Sequence, residues 1–378
     1  MSYRPVEILT HRSFRQSAVG LRQSQQRRPT GVCRLPTAGL DQNSNRAVSF
    51  VRLCSLLLLA ALASITAPAA AWAQGQAAPW RPTKPIEFVI MAGKGGGADL
   101  IVRSLIEIIG KHKLAPVPVT PVNIAGGSGA DALVHLKKRN GDDHLLLFTL
   151  NSFYTTPMKK PELGIDIATF APIGRMAEDA FLLWVHSDRT DIKTLDDFVK
   201  AARAAGDKWI MGGTGVDQED SMLTDFLNST YGLKMKYKAF GGGGEVAREL
   251  AEKRIDSTVN NPAEQNEFFP KGVTKPISTF TPQRLEMHLR IPTFRETGMD
   301  FQYFMQRSVV GAPGMSPPAQ TYYMSLFKRV FDTPEWQEYM RKNSLRGTFL
   351  AGPQLMSYWL KEREKHERWD MAVRAMRR

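Results

Sequence analysis

Beyond residue 84 the sequence predicts an α/β protein organised in two blocks. Three observations carry the prediction. Short apolar runs of strand length alternate with segments of helical periodicity. Glycine-rich turns stand where those runs give way to helices. The order strand, glycine turn, helix occurs in both halves of the chain. Repeated βαβ order implies parallel strands, with ligand-binding turns gathered at their carboxyl ends.

In the first block, IEFVIM reads as a buried strand, and MAGKGGGAD leads from it into a helix over 99–109. Leu100, Leu105, Ile106 and Ile109 are among that helix's apolar positions. VPVTPV (117–122) is a short strand, and AGGSGAD (125–131) opens a helix that runs through Leu136. LLLFTL (145–150) is wholly apolar, as a strand covered on both faces should be, and it ends at Asn151-Ser152.

The second block begins at FLLWVH (181–186). Thr194 then starts a helix with Asp197 three residues later, a capping box in which Asp stands for the usual Glu. KWIMGGTG (208–215) is strand and glycine turn, followed by a helix over 219–231. KMKYKAF (234–240) is a strand, GGGGE (241–245) opens the next helix, and RIDSTVNNP (254–262) is a strand ending in a turn. Further on, SVVGAP reads as a strand, with helical segments over 317–375. Their basic end, KEREKHERWDMAVRAMRR, reads as a solvated amphipathic face.

Upstream, residues 1–52 are Arg-rich and poor in acids, and an apolar run from Leu53 to Ile65 follows. That run is shorter than the roughly 20 residues a spanning helix needs, and it leads to Pro68 and the A-x-A site Ala71-Trp72-Ala73. Residues 1–73 therefore read as a secretory signal peptide with an extended basic n-region, cleaved near Ala73. An uncleaved anchor is the alternative, and a translation start near Val51 would shorten the n-region. Residues 74–84, rich in Ala, Pro and Gln, read as a linker.

Cleavage changes the charge. The leader's nine Lys/Arg and two Asp/Glu account for +7 of the chain's +13, leaving about +6. A nucleic-acid partner loses half its support, while a mild positive excess suits a collector of small anions. Both cysteines, Cys33 and Cys54, lie in the leader, so disulfide and cysteine metal sites are excluded from the mature chain.

The glycine turns carry the chemistry. A helix N terminus presents unpaired N–H groups and about half a positive charge, and glycine lets backbone approach a ligand closely. Together they form an anion site, whereas a single such turn is more often only a tight βα connection. Nucleotide readings fit poorly: Lys94 precedes the triple glycine instead of following it, which breaks the Walker pattern. A dinucleotide fingerprint requires Ala98 in place of its last glycine. No G-x-S-x-G or H-E-x-x-H occurs, and His112, His135, His144, His186, His288 and His366 are scattered without metal-ligand spacing. Neither cofactor nor metal is expected. Asp99, first in its helix, reads as a cap.

In this order and spacing the motifs resemble the solute-binding receptors of tripartite tricarboxylate transporters, the Bug/TctC type. KPIEFVIMAGKGGGADLIVR resembles that family's opening, PVNIAGGSGADALVHL its second glycine turn, and GDDHLLLFT its third strand. FAPIGRM resembles its domain crossover, and TLDDFVKAARA the first helix of its second domain. AFGGGGEVARELAEKRIDSTVNNPAE and IPTFRETGMDF resemble its later turn, helix, strand and V-P-T-x-x-E-x-G signature. The resemblance implies a periplasmic-binding-protein type II fold: two α/β lobes, a two-crossover hinge and a ligand cleft. It places lobe one at 85–180 plus 304–378 and lobe two at 181–303.

It also implies site residues. In lobe one they are Gly95, Gly96, Gly97 and Asp99, with Asn151 and Ser152; in lobe two they are Thr214, Gly215, Asp217, Gly242, Gly243 and Asn261. Lys94 is added as a charge beside the first loop. Met91-Ala92-Gly93 replaces the family's Pro-Phe-Pro, QYFMQRSVVGAP brings in Arg307, and Asp217 and Glu219 put acids beside the second turn. These departures point to an unusual acid or one with a cationic group. The implied function is capture of a small organic acid in the periplasm by a monomeric receptor that delivers it to membrane permease subunits. A ligand sensor for a membrane histidine kinase would share the fold, and an exported hydrolase is the third reading.

Overall fold

The computed structural model describes residues 79–376. The expected leader and residues 74–78 of the linker lie outside the described residues.

The chain enters at β1 (Ile86–Ile90), whose residues are buried except Glu87, and turns through the glycines into α1 (Gly97–Lys111). Ile101, Val102, Leu105, Ile108 and Ile109 of α1 recur at helical spacing and are buried. β2 (Val119–Asn123) and α2 (Ala130–Lys138) follow, then β3 (Leu145–Thr149), buried throughout, and α3 (Ser152–Lys159). β4 (Ala171–Ala180) leads through Phe181 alone into β5 (Leu182–His186) of a second sheet.

The second block is α4 (Leu195–Ala205), β6 (Ile210–Thr214), α5 (Glu219–Tyr231), β7 (Lys236–Phe240), α6 (Gly243–Ala251), β8 (Ser257–Asn260) and β9 (Thr274–Thr279). Both bonds of the expected capping box start α4: Asp197 N–H donates to Thr194 Oγ1 at 3.2 Å, and Thr194 N–H to Asp197 Oδ2 at 3.0 Å. β10 (Phe304–Gly311) returns to the first sheet and precedes α7 (Pro317–Phe331), α8 (Pro334–Lys342) and α9 (Gly352–Met376).

The two five-stranded sheets have the orders β2-β1-β3-β10-β4 and β7-β6-β8-β5-β9. In each, three strands are parallel, as the βαβ order requires, and the strands tied to the crossovers add antiparallel pairings. β4 leaves the first lobe and β10 re-enters it, and the two pair with each other from Phe304↔Ala180 to Gly311↔Ala171. The two crossovers thus lie side by side as one ribbon. Phe181, Phe280, Tyr303 and Met305 pack at this hinge within a core continuous with both lobes. A smaller apolar cluster, with Leu182, Trp184, Val246, Leu250 and Ile255, fills the α6 side of the second sheet.

α9 also bridges the lobes. His366 and Trp369 on it pack against Tyr303, and Trp369 lies 5.5 Å from the Phe301 ring and 6.4 Å from Phe226 on α5. Among the described residues no helix is long and apolar enough to cross a membrane.

Candidate ligand-binding cleft

The N termini of α1 in lobe one and α6 in lobe two face each other, and their glycine loops touch. A Cβ built on Gly93 would lie 2.6 Å from the carbonyl oxygen of Gly241, and one on Gly244 would lie 2.6 Å from that of Gly95. Each loop presses backbone against backbone of the other lobe, a proximity only glycine permits.

Two lobe-one helix N termini are occupied by carboxylates from lobe two. Gly97 N–H, opening α1, donates to Glu264 Oε1 at 2.9 Å. Ser152 N–H, opening α3, donates to Glu219 Oε1 at 2.8 Å. The partial positive charge and free N–H groups of a helix start make both contacts favourable. Glu264 Oε2 is held by Asn261 N–H at 3.0 Å and Asn260 Nδ2 at 2.8 Å. Burial raises the Glu219 pKa above the ordinary range, against the lowering effect of its backbone hydrogen bonds. Burial, reinforced by the Glu264 charge, raises that of Asp220 well above it.

Beneath the first loop lies a buried ion pair. Arg307, on β10, donates through Nη2 to Asp179 Oδ2 on β4 at 2.6 Å and to Asn261 Oδ1 of lobe two at 2.8 Å. The Arg307 and Asp179 side chains are each 1% exposed. Burial raises the Asp179 pKa to about 6, outweighing the opposing pull of Arg307. Among the described residues Arg307 Nη1 and Asp179 Oδ1 are buried without a hydrogen-bond partner. A Cβ on Gly97 would lie 2.7 Å from Arg307 Nη2 and 3.5 Å from both Asp179 Oδ2 and Glu264 Oε1, so these groups converge on the start of α1.

The structure uses the expected site residues in different ways. Gly96, Gly97, Gly242, Gly243 and Asn261 meet in this cluster, and Ser152 lies at the second occupied N terminus. Lys94 and Gly95 are exposed at the rim, Gly95 with φ of +75°. The Asp99 carboxylate is spent on its own lobe: it accepts from Gly95 N–H, Arg103 and Asn123. Burial raises its pKa, but those bonds outweigh burial and hold it below the ordinary value.

Asn151 is turned away into β10, donating to Tyr303 Oη and the Phe304 carbonyl and accepting from Gln306 N–H. Thr214 N–H donates to Asp220 Oδ2, and Tyr237 Oη donates to the carbonyls of Thr214 and Gly215. Asp217 is exposed, with its carbonyl accepting from Lys159 Nζ at 3.1 Å. Gly212 and Gly213, expected in a turn, lie within β6; a Cβ on Gly213 would meet Asp220 Cβ at 2.5 Å and Tyr237 Oη at 2.6 Å.

The profile of the family described as "Tripartite tricarboxylate transporter family receptor" matches residues 101–375. The chain belongs to this family. As a tripartite tricarboxylate transporter receptor it is a binding protein and not an enzyme. It is 23% identical over 300 residues to the "UPF0065 protein in gbd 5'region" of Cupriavidus necator, covering 79% of this chain and 90% of that one. Among solved structures it is similar to the periplasmic binding protein BugD, with a TM-score of 0.71 at 18% identity over 78% of this chain and 98% of that one. It is also similar to Rpa4515 of R. palustris with adipate, with a TM-score of 0.70 at 19% identity, covering 77% and 98%. For MatC of Rhodopseudomonas palustris with bound malate the TM-score is 0.69 at 18% identity, covering 77% and 99%. These likenesses establish the type II periplasmic-binding-protein fold.

Sequence reasoning noted the receptor's Arg307 and Glu219 as departures, and missed Asp179, Asp220 and Glu264. Asp179 lies 128 residues from Arg307, and Glu264 lies 167 from Gly97, so no local pattern joins them.

Proposed function

We propose that this receptor captures a small organic carboxylate between its lobes in the periplasm and delivers it to the membrane subunits of a tripartite transporter. One observation carries the reading. Lobe one offers two helix N termini to the cleft, and each already holds a carboxylate oxygen, from Glu264 on Gly97 and from Glu219 on Ser152. The site is chemically a carboxylate receptor. The structures with adipate and malate share the fold, which supports the same solute class here.

On this reading, 85–180 with 304–378 and 181–303 move as two bodies about the β4/β10 ribbon. Each body carries half of the site, so a solute favours the closed arrangement that a permease recognises. The solute-facing groups are the N–H groups of Gly96, Gly97, Ser152, Gly242 and Gly243, with Asn261 beside them and Lys94, Gly95 and Asp217 at the rim; the N–H groups of Gly95, Thr214 and Gly215 are spent on Asp99, Asp220 and the Phe240 carbonyl. Residues 1–73 direct export and are removed.

The test is thermal unfolding and calorimetry of residues 74–378 with a panel of mono-, di- and tricarboxylates. A solute at about one hundred times its Kd adds about 2.7 kcal/mol, which raises Tm by about 4 °C for a chain of this length. Absence of both shift and heat across the panel overturns the capture reading. Co-purification with the transporter's membrane subunits tests delivery.

A further inference from the structure

The turn Gly126–Gly129, between β2 and α2, takes no part in the carboxylate contacts of the cleft, yet it touches lobe two. Ser128 Oγ donates to the carbonyl of Val216, in the loop between β6 and α5. Lys159, the last residue of α3, reaches the next residue of that loop. Its Nζ donates to the Asp217 carbonyl at 3.1 Å and lies 3.8 Å from Asp217 Oδ1. The Lys159 side chain is only 12% exposed, so it is pinned against the loop.

Backbone geometry marks the same two loops independently. Among the described residues, five other than glycine have positive φ: Lys113, Ser128, Asp217, Lys253 and Ser344. Three of them follow helix ends. Lys113, Lys253 and Ser344 stand two residues past α1, α6 and α8, and the residue after each donates back into the last turn: Leu114 to the Ile109 carbonyl, Arg254 to Glu249 and Leu345 to Met340. That is the ordinary left-handed helix stop. Ser128 (φ +61°) and Asp217 (φ +59°) end no helix. A left-handed residue with a side chain costs free energy and persists where its surroundings hold it. Within lobe one, Thr156 Oγ1 donates to the Ser128 carbonyl at 2.6 Å and Lys160 Nζ to the Gly127 carbonyl at 3.3 Å. Gly127 and Gly129 flank Ser128 with φ of +62° and +89°, so glycine would be the relaxed residue at 128 as well. What serine adds is the hydroxyl that crosses to lobe two.

We propose that Ser128–Val216 and Lys159–Asp217 form a latch that holds the lobes together when no solute is bound. The inference rests on the two-body movement of the proposed function and on nothing about the solute. Opening about the β4/β10 ribbon breaks both bonds, because each has one partner on each lobe. Thr156 keeps the Ser128 turn in shape, so its hydroxyl is already aimed when the lobes return. Asp217 is held from across the gap, so opening frees it to relax.

Residues 74–378 contain no cysteine, so spin labels can be placed at Glu107→Cys on α1 and Asp207→Cys between α4 and β6, both exposed. Their distance distribution is measured without solute. The reference is Gly93→Ala, whose methyl crowds the Gly241 carbonyl oxygen at 2.6 Å and weighs against closure, so that closed and open distances appear together. Adding Ser128→Ala or Ser128→Gly should raise the open-to-closed ratio about 2- to 10-fold, and Lys159→Met, which removes a charged donor, about tenfold or more. Ser128→Gly should also melt higher than Ser128→Ala, because glycine alone relieves the left-handed backbone while both lose the hydroxyl. Ratios within about 1.5-fold of the reference in all three variants, less than one lost hydrogen bond produces, overturn the latch and leave the two-body movement standing. A Gly93→Ala protein seen only open also overturns the latch, since the latch then fails against one methyl. One seen only closed removes the movement and the latch together.

Discussion

Gly93→Ala tests whether the two lobes work in the arrangement seen here. The three atoms nearest to the added methyl all belong to lobe two: Gly241 O at 2.6 Å, Gly241 C at 3.3 Å and Gly242 Cα at 3.7 Å. Ordinary contact begins near 3.4 Å, so the loops must part by about 0.8 Å at this point. Overpacking of this kind costs about 1–3 kcal/mol. Opening the cleft relieves it without disturbing either lobe, so the cost falls on closure and appears as binding weakened about 5- to 150-fold.

Gly244→Ala approaches the same interface from the other side, 2.6 Å from Gly95 O. The double variant should lose less than the sum of the two, because one opening relieves both contacts. Gly110→Ala, with no atom within 4 Å of the new methyl, is the control and should leave binding unchanged. The assays are calorimetry with the tightest solute of the panel and small-angle scattering of the unliganded protein. If Gly93→Ala binds within twofold of wild type and scatters identically, the glycine loops do not touch in the working closed state, and the reasoning fails.

Three further outcomes are expected. Thr194→Ala removes the α4 cap on the outer side of lobe two and should lower stability by about 0.5–2 kcal/mol in denaturant melts without changing solute affinity. Gly96→Ser places a side chain where the nearest atoms lie at 3.5 Å or more and φ is −77°, so it fits and caps α1 from within. It should stabilise lobe one and weaken binding several-fold by competing for the same N–H groups. His366 accepts from Tyr303 Oη and donates Nδ1–H to the Glu362 carbonyl, and burial pushes its pKa from about 6.5 down to about 4. The unfolded chain takes the proton first, so this contribution is intact above pH 6.5 and is lost as pH falls toward 4, by up to about 3 kcal/mol. Asp179, held up at about 6, acts with the opposite sign between its ordinary 3.8 and that value. The measurement is therefore the difference between wild type and His366→Gln across this range; a constant difference refutes it.

Strands with a clear apolar signal were legible. LLLFT is buried at every position, and the helix read over 219–231 matches Glu219–Tyr231. β4 has no strand signature: APIGRMAEDA contains Pro172, Gly174 and three charged residues, with no alternation to mark it. It is a strand because β10 pairs along it, a contact remote in sequence. β9 contains Pro276, which argues against a central strand, and it lies at the sheet edge, where proline is tolerated. Pro157 interrupts the helical pattern of α3, yet the helix continues through it. The apolar signal of β10 begins only at Ser308; the strand starts at Phe304, which places Arg307 inside it, and a residue equally suited to the surface becomes a buried cation where the lobes meet.

One signal of the cleft is local in the sequence. Three helices away from the site cap themselves: α4, α7 and α8 begin with Thr194, Ser316 and Thr333, whose hydroxyls accept from the first turn. Those whose N termini line the cleft do not. α1, α5 and α6 follow Gly96, Gln218 and Gly242, with no side-chain cap, and Asn151 before α3 has its side chain turned into β10. A self-capped helix start has spent its N–H groups, while an uncapped one keeps them for an external anion. Here the external anions at α1 and α3 are Glu264 and Glu219 of the opposite lobe. The missing caps therefore fall where the two lobes meet, the side on which the proposed capture would take place. What they cannot mark is which acids fill those N termini, because Glu264 and Glu219 reach them only where the two lobes meet.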